Sequence, residues 1–182
     1  DEFVISSLAK YKDHELKSVD QAELKDLDKF TDVEEKKTKS KTLTKDDELQ
    51  FSSLLEKMKE ILGAKVKEVN VSERLDDSPA CLVNADNTMS ASMQKMMNIM
   101  QNTEKIPEKV MEVNKDHNLI RNLLKVFKSD PNDKYLTEVT NQLYDTSLLL
   151  EGYLTDPHKL VNRVNSMLEE SSELYTEVKK IK

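Results

Sequence analysis

The chain has 182 residues, which is enough for one compact domain with an appendage or for two small domains. Its formal net charge of −7 argues against general binding to nucleic acid, because phosphate recognition needs a concentrated surplus of Lys and Arg. No apolar run approaches the roughly 20 residues of a membrane helix, and the single cysteine, Cys81, cannot close an intramolecular disulfide. Since the chain also begins without Met and without a signal-like pattern, we expect a piece of a longer, soluble protein of the cytoplasm.

The first 46 residues are predicted to hold one small folded unit and a linker. Residues 2–11 place apolar side chains at helical spacing, and residues 14–19 indicate a short strand. From residue 31 onward nearly every side chain is charged or small and polar, so this stretch cannot bury enough apolar surface to fold alone. We therefore predict a helix-strand unit over residues 1–30, a charged linker over 31–46 and the main domain over 47–182.

An α+β fold is predicted for the main domain. Apolar side chains recur at helical spacing from residue 47 to residue 62, and Gly63 follows where a C-terminal cap belongs. Three β-type segments follow at residues 66–71, 80–83 and 110–113, and together they predict a small three-stranded sheet with flanking helices.

Two long helices are predicted in the C-terminal third, one from about Asp130 to Gly152 and one that begins at Asp156-Pro157. Each carries an apolar stripe, and a two-helix hairpin cannot easily bury both. The same hairpin of a second subunit would cover the rest in a four-helix bundle across a twofold axis. Packing of both stripes on the chain's own sheet fits the pattern equally well. The stripe residues, which form the predicted dimer interface, are Leu136, Val139, Leu143, Leu150, Val161, Val164, Leu168 and Tyr175.

Five of the eight Met residues lie within one predicted helix, residues 88–101, on a single face. Flexible, polarisable Met side chains let a surface adapt to many apolar partners, so the face is suited to holding unfolded chains. Burial of the same stripe in the core is the alternative. Coordination of Cu(I) by the thioethers would lack a nearby Cys or His. The predicted client-binding residues of this helix are Met89, Met93, Met96, Met97 and Met100.

The sequence contains no motif for catalysis, for a metal or for a cofactor. With only two Gly residues, no phosphate-binding glycine loop or dinucleotide fingerprint can be written. His14, His117 and His158 lack metal-ligand spacing and are expected to be surface or capping residues. Cys81 lies in an apolar run where a buried, unreactive thiol is expected. We predict no enzyme activity for this stretch of chain.

Residues 74–83, which read Arg-Leu-Asp-Asp-Ser-Pro-Ala-Cys-Leu-Val, closely resemble the signature that opens the C-terminal domain of heat shock protein 90 chaperones. The opening residues are similar to the end of that family's middle domain. The chain is thus identified by resemblance as the C-terminal dimerisation domain with the end of the middle domain, of the bacterial type. Further matching segments follow in the family's order at residues 89–93, 112–117, 143–149, 156–157 and 162–163.

The resemblance implies a homodimer through the last helices and client contact at the Met helix. It implies a second client-binding patch formed by Glu2, Phe3 and Ser6. ATP and Mg would bind in a domain that precedes this stretch in the family, with no cofactor here. The implied function is the dimerisation and client-contact region of an ATP-dependent chaperone that assists protein folding in the cytoplasm or an organelle. A monomeric helical adaptor that binds one specific protein is the alternative.

Overall fold

The computed structural model describes residues 8, 10–12, 14–15, 45–85, 91–101 and 106–180. Residues 31–44 of the predicted linker, Met89 and the patch at Glu2, Phe3 and Ser6 lie outside the described residues, whereas the last two linker positions, Lys45 and Asp46, begin the first described helix. Near the start, β1 (Lys10–Tyr11) and β2 (His14–Glu15) pair as antiparallel strands. The last two residues of the predicted helix are therefore strand, whereas β2 lies at the beginning of the predicted strand.

The main domain has the predicted three-stranded sheet. Its strands are β3 (Val69–Val71), β4 (Ala80–Asn84) and β5 (Lys109–Val113). Their order is β3-β5-β4, where β5 pairs with β3 in parallel and with β4 antiparallel. The mixed α+β class is confirmed.

Five helices are described around this sheet. They are α1 (Lys45–Leu62), α2 (Ala91–Gln101), α3 (Asn118–Ser129), α4 (Lys134–Glu151) and α5 (Pro157–Lys179). Helix α2 lies in the connection between β4 and β5, within the segment predicted from its Met spacing. Helix α3 has no counterpart in the sequence prediction, although four of its residues, buried in the structure, recur at helical spacing.

Gly63 ends α1 in the predicted place. Its φ of +56° lies in the left-handed region, where a residue without a Cβ is favoured, and a short 3-10 turn over Gly63–Lys65 follows. The Lys59 ammonium donates to the carbonyl oxygens of Gly63 and Val66, each at 2.6 Å. It therefore binds two carbonyls of the turn that follows α1, from which the chain runs into β3.

The hydrophobic core lies between one face of the sheet and the helices α1, α3 and α4. Helix α4 is the central element, since it contacts β4, α1, α3 and α5. Burial of these apolar faces supplies most of the driving force for folding. The deepest core side chains are Leu54, Met58, Met111, Val113, Ile120, Leu123 and Leu136.

The caps of the last two helices fix the C-terminal hairpin. Helix α4 begins a few residues later than predicted, because Asp130 is the C-terminal cap of α3 and the Asp133 carboxylate accepts from the Tyr135 amide at 2.8 Å. It ends at Gly152, whose φ is +72°. Helix α5 begins at Pro157, with Asp156 as its N-cap, as predicted.

Candidate interaction surfaces

The hairpin of α4 and α5 is joined by a charged pair near its middle. Both terminal nitrogens of the Arg163 guanidinium donate to one carboxylate oxygen of Asp145, at 2.9 Å each. Both side chains are largely shielded from solvent. Arg163 also donates to the Gln142 amide oxygen at 3.4 Å. This contact orients α5 along α4, and Met167 adds an apolar contact to the core.

Helix α5 extends an uncovered apolar face into solvent. None of its 23 residues is buried, and residues 171–180 are all exposed. Val161, Leu168 and Tyr175 follow one another at steps of seven residues, which is the spacing of a coiled-coil seam. We call the exposed apolar side chains of the two helices, apart from Tyr135 at the start of α4, the hairpin face, which consists of Leu149, Leu150, Val161, Leu168, Leu174, Tyr175 and Val178.

The residues predicted for the dimer interface differ in how much of their surface is exposed. Leu136, Val139 and Leu143 are buried in the chain's own core, so they have almost no surface left for a partner. Val164 is half-buried. The other four belong to the hairpin face. The stripe of α4 thus packs largely on the chain's own sheet, whereas that of α5 stays exposed; the four-helix bundle itself remains a prediction.

Helix α2 presents the second exposed apolar surface. Met96, Met97 and Met100 are exposed, and Ile99 completes a continuous arc with them around the helix. Met93 lies in the helix, although its side chain is outside the described part. We call these four exposed residues the Met helix face. Ile99 was missed in the sequence analysis, yet its spacing of three residues from Met96 was the available signal.

The loop before β4, residues 72–79, is held by residues of the matching segment 112–117. Arg74 donates to the Glu112 carboxylate at 2.6 Å, and the Ser72 hydroxyl donates to the same carboxylate at 2.9 Å. The Asn114 amide donates to the carbonyl oxygens of Asp76 and Ser78. Two motifs that are separate in sequence thus form one structural unit.

Cys81 lies opposite Glu112 in the ladder of β4 and β5. Burial of the thiol, with the negative charge of Glu112 as the next cause, raises the pKa of Cys81 from 9.0 to about 11. A nucleophilic thiol requires the opposite shift, since the thiolate is the reactive form. The arrangement around Cys81 therefore disfavours its use as a nucleophile.

The histidines with described side chains take the roles expected of them. The Nδ1 atom of His117 accepts from the Leu119 amide at 3.1 Å and so caps α3. His158 is exposed in the first turn of α5, while the side chain of His14 is not described. Within residues 45–85, 91–101 and 106–180, no cluster of His, Cys, Asp and Glu is arranged to hold a metal ion.

Among the helices of that same part, none is long and apolar enough to cross a membrane.

Comparison with known proteins gives consistent matches. The whole chain, residues 1–182, matches the sequence profile of the family described as Hsp90 protein. It is 48% identical over 181 residues to the Chaperone protein HtpG of Oleidesulfovibrio alaskensis, covering 100% of this chain and 28% of that protein. The HtpG of Nitratidesulfovibrio vulgaris is 41% identical over 179 residues, with 98% and 28% covered. That of Bacillus subtilis is 36% identical over 166 residues, with 90% and 25% covered. The chain thus spans little more than a quarter of these relatives' length.

Proposed function

Because this chain belongs to the Hsp90 protein family, we propose that it is the region through which a chaperone of that family forms a homodimer and contacts client proteins. Its relatives carry the name of chaperone, and the chain corresponds to little more than a quarter of their length. ATP binding with Mg, and hydrolysis, are accordingly proposed for another part of the parent protein. We propose the cytoplasm as its location.

The observation that carries the dimerisation proposal is the exposure of α5. A helix of 23 residues is about 34 Å long at 1.5 Å per residue. Its exposed Val161, Leu168, Tyr175 and Val178 leave a seam along nearly all of that length. A helix that stays stable in water normally buries such a seam, and a second copy of the same hairpin offers a matching one. The arrangement proposed is a four-helix bundle with α4 and α5 from each subunit.

The charges around the seam are compatible with a twofold interface. Glu169, Glu170, Glu173 and Glu177 alternate with the apolar residues of α5, and Lys179 and Lys180 follow. Acidic and basic groups beside an apolar seam set the register and orientation of paired helices.

Client contact is proposed for the Met helix face. Met96, Met97 and Met100 expose unbranched, flexible side chains to solvent, and Ile99 adds a branched apolar side chain beside them. Contiguous exposed apolar residues on a folded domain mark a surface that binds other proteins. Since Met side chains adopt many shapes at low cost, the chemistry suits apolar segments of differing sequence. Met89 and Met93 are proposed to extend this surface, and Glu2, Phe3 and Ser6 are proposed to form a second client-binding patch.

Sedimentation equilibrium over a wide concentration range tests dimerisation. A mass of twice 21.0 kDa is expected for the chain. Leu168→Asp, which places a charge at an exposed seam position, is expected to give the monomer mass with unchanged circular dichroism. Glu169→Gln, at the neighbouring position, is the matched control and should leave the dimer intact. A monomer at every concentration would overturn the dimer and favour the helical adaptor.

Suppression of aggregation of a thermally unfolded model protein tests client contact. Met96→Ser combined with Met100→Ser removes apolar area from exposed positions, so the variant should suppress aggregation less while keeping its mass and fold. Asn122→Ser, an exposed polar position on α3, is the control. Equal suppression by the variant and the wild type would contradict the proposal for this face.

A further inference from the structure

Lys109 is the most deeply buried charged side chain among the described residues, with 1% of its surface exposed. Its ammonium donates to the Asn84 amide oxygen at 2.8 Å and to the carboxylate of Glu151. The same nitrogen lies 5.0 Å from the centre of the Tyr153 ring, within range of a cation–π interaction. Because all three partners contact one buried ammonium, the position of each partner restricts the positions of the other two.

The first of these partners lies at the base of the segment that carries the Met helix. Asn84 and Lys109 form the last register pair of the β4–β5 ladder, and the chain leaves and re-enters the sheet from this pair. The Ala85 amide donates to the Glu108 carbonyl at 3.0 Å and closes the same base. Residues 85–108 therefore form an insertion on a two-stranded stem.

The other two partners lie at the hinge of the C-terminal hairpin. Glu151 is the last residue of α4, and Tyr153 follows the Gly152 cap. The Tyr153 amide donates to the Leu148 carbonyl at 2.9 Å, which fixes the turn to the end of α4. The Lys109 ammonium thus bridges the stem below the Met helix and the turn from which α5 departs.

A buried charge makes this bridge sensitive to displacement on either side. An ammonium shielded from water cannot replace a lost partner with solvent, so movement of Glu151 leaves a charge that is poorly compensated. The stem and the hinge therefore favour one joint arrangement. Two sites that share such an element are coupled, and coupling of binding free energies is reciprocal.

We propose that Lys109 is a positioning residue that couples occupancy of the Met helix face by an apolar, unfolded chain to the order of the hairpin hinge. The inference rests on the proposed function, because it needs client contact at α2. Binding at the Met helix face restrains the pair Asn84–Lys109, from which the chain on both sides of α2 enters the sheet. The restrained Lys109 ammonium in turn keeps Glu151 and Tyr153 in position. The hinge in turn sets the direction in which the seam of α5 is presented.

Hydrogen exchange of single amides in the full chain tests the bridge without a client. Glu151→Gln keeps the shape of the side chain and removes its charge. It is expected to speed exchange of the Ala85 amide by about fivefold or more, although Ala85 is on a different element. The Met111 amide, which donates to the Glu68 carbonyl at the other side of β5, should not change. A merely stabilising role would speed both amides together.

Two further variants complete this experiment. Lys109→Met should reproduce the effect at Ala85 and add a similar one at Tyr153; if it does not fold, Glu151→Gln alone decides the outcome. Glu138→Gln, elsewhere on α4, is the matched control and should leave both amides unchanged. An unaltered Ala85 amide in Glu151→Gln, or equal acceleration at Met111, overturns the proposal.

Adding reduced, carboxymethylated α-lactalbumin as an unfolded probe tests the coupling itself. In the wild type, saturation with the probe should slow exchange of the Tyr153 amide by about fivefold, and Glu151→Gln should abolish this protection. Failure of the probe to bind the chain would refute client contact and thereby the proposed function. Binding without protection at Tyr153, or with equal protection in Glu151→Gln, would refute the coupling alone.

Discussion

The guanidinium of Arg163 binds Asp145 through both of its terminal nitrogens, and this pair connects α5 to α4 in a position where little water reaches it. Such charge-assisted contacts are stronger than exposed ion pairs and more specific in direction. Helix α5 has few other polar contacts with the described part of the chain. The orientation of the proposed dimer seam therefore depends on this pair as well as on the turn held by Lys109.

Asp145→Asn is expected to lower the free energy of unfolding by about 1–2 kcal/mol, since it leaves the Arg163 charge poorly compensated. The measurement is the urea midpoint at a fixed protein concentration. Glu170→Gln is the control, because its exposed carboxylate lies 3.8 Å from the Lys134 nitrogen and should contribute less than about 0.5 kcal/mol. Equal effects of the two variants would show that the Asp145 pair does not hold the hairpin.

Leu143 and Leu168 were both predicted for the interface, and their substitution should now separate core from surface. Leu143 is 7% exposed and Leu168 is 61% exposed. Leu143→Ala should cost about 2–5 kcal/mol of stability through the cavity it leaves. Leu168→Ala should change monomer stability by less than about 0.5 kcal/mol and weaken the dimer in sedimentation equilibrium. A stable Leu143→Ala chain that loses only its dimer would reverse this assignment.

The Cys81 thiol should react slowly in the folded chain. With a pKa raised from 9.0 to about 11 by burial and then by Glu112, its thiolate fraction at pH 8 is about 100-fold lower than in the unfolded chain. Alkylation by iodoacetamide at pH 8 should be slower than in urea by at least that factor, and should accelerate as the pH approaches 11. Rapid labelling of the folded chain at pH 8 would contradict this.

The same shift predicts how stability depends on alkaline pH. The raised pKa means that the unfolded thiol ionises first, so the contribution of Cys81 to stability is complete below pH 9 and is lost as the pH rises towards 11. Urea midpoints at pH 8 and pH 10.5 should differ more for the wild type than for Cys81→Ala. A difference that is the same in both chains would assign the loss to other groups.

Gly63→Ala tests the cap at the end of α1. An added Cβ would meet no atom within 4 Å, so the cost is that of the φ of +56° alone. A loss of about 1 kcal/mol is expected for Ala. Gly63→Asn should cost less, since Asn tolerates the left-handed region better. Thermal unfolding of both variants measures this, and an unchanged midpoint for Gly63→Ala would refute it.

Much of the fold could be predicted from local patterns. Local sequence is enough to predict the end of α1 at Gly63, the three strands, and the start of α5 at Asp156-Pro157. Helix α3 was missed even though Ile120, Leu123, Leu124 and Phe127 recur at helical spacing. The signal was therefore present in the residues that follow His117, whose side chain caps the helix.

The candidate surfaces were less predictable, for a physical reason. Periodicity identifies a stripe but does not say what covers it. Leu143 and Leu168 follow the same kind of pattern, yet only the first meets the sheet, because α4 lies between the sheet and α5. The buried Lys109 left no periodic signal at all, since its partners come from β4 and from the end of α4 and meet only in three dimensions.

The hydrogen bond between Ala85 and Glu108, which joins the two ends of the segment that carries the Met helix, also affects which sequence changes the domain tolerates. The Ala85 amide and the Glu108 carbonyl are 3.0 Å apart, so the stretch between them joins neighbouring points of a sheet. Lengthening a loop whose ends already meet costs little, because closure entropy grows only with the logarithm of its length. Insertions, deletions and exchanged sequences are therefore tolerable there while the scaffold persists. Peptides can therefore be grafted between these points, and replacement of residues 86–105 by another amphipathic segment should leave the architecture unchanged, because Ile106, which packs against the core, is kept.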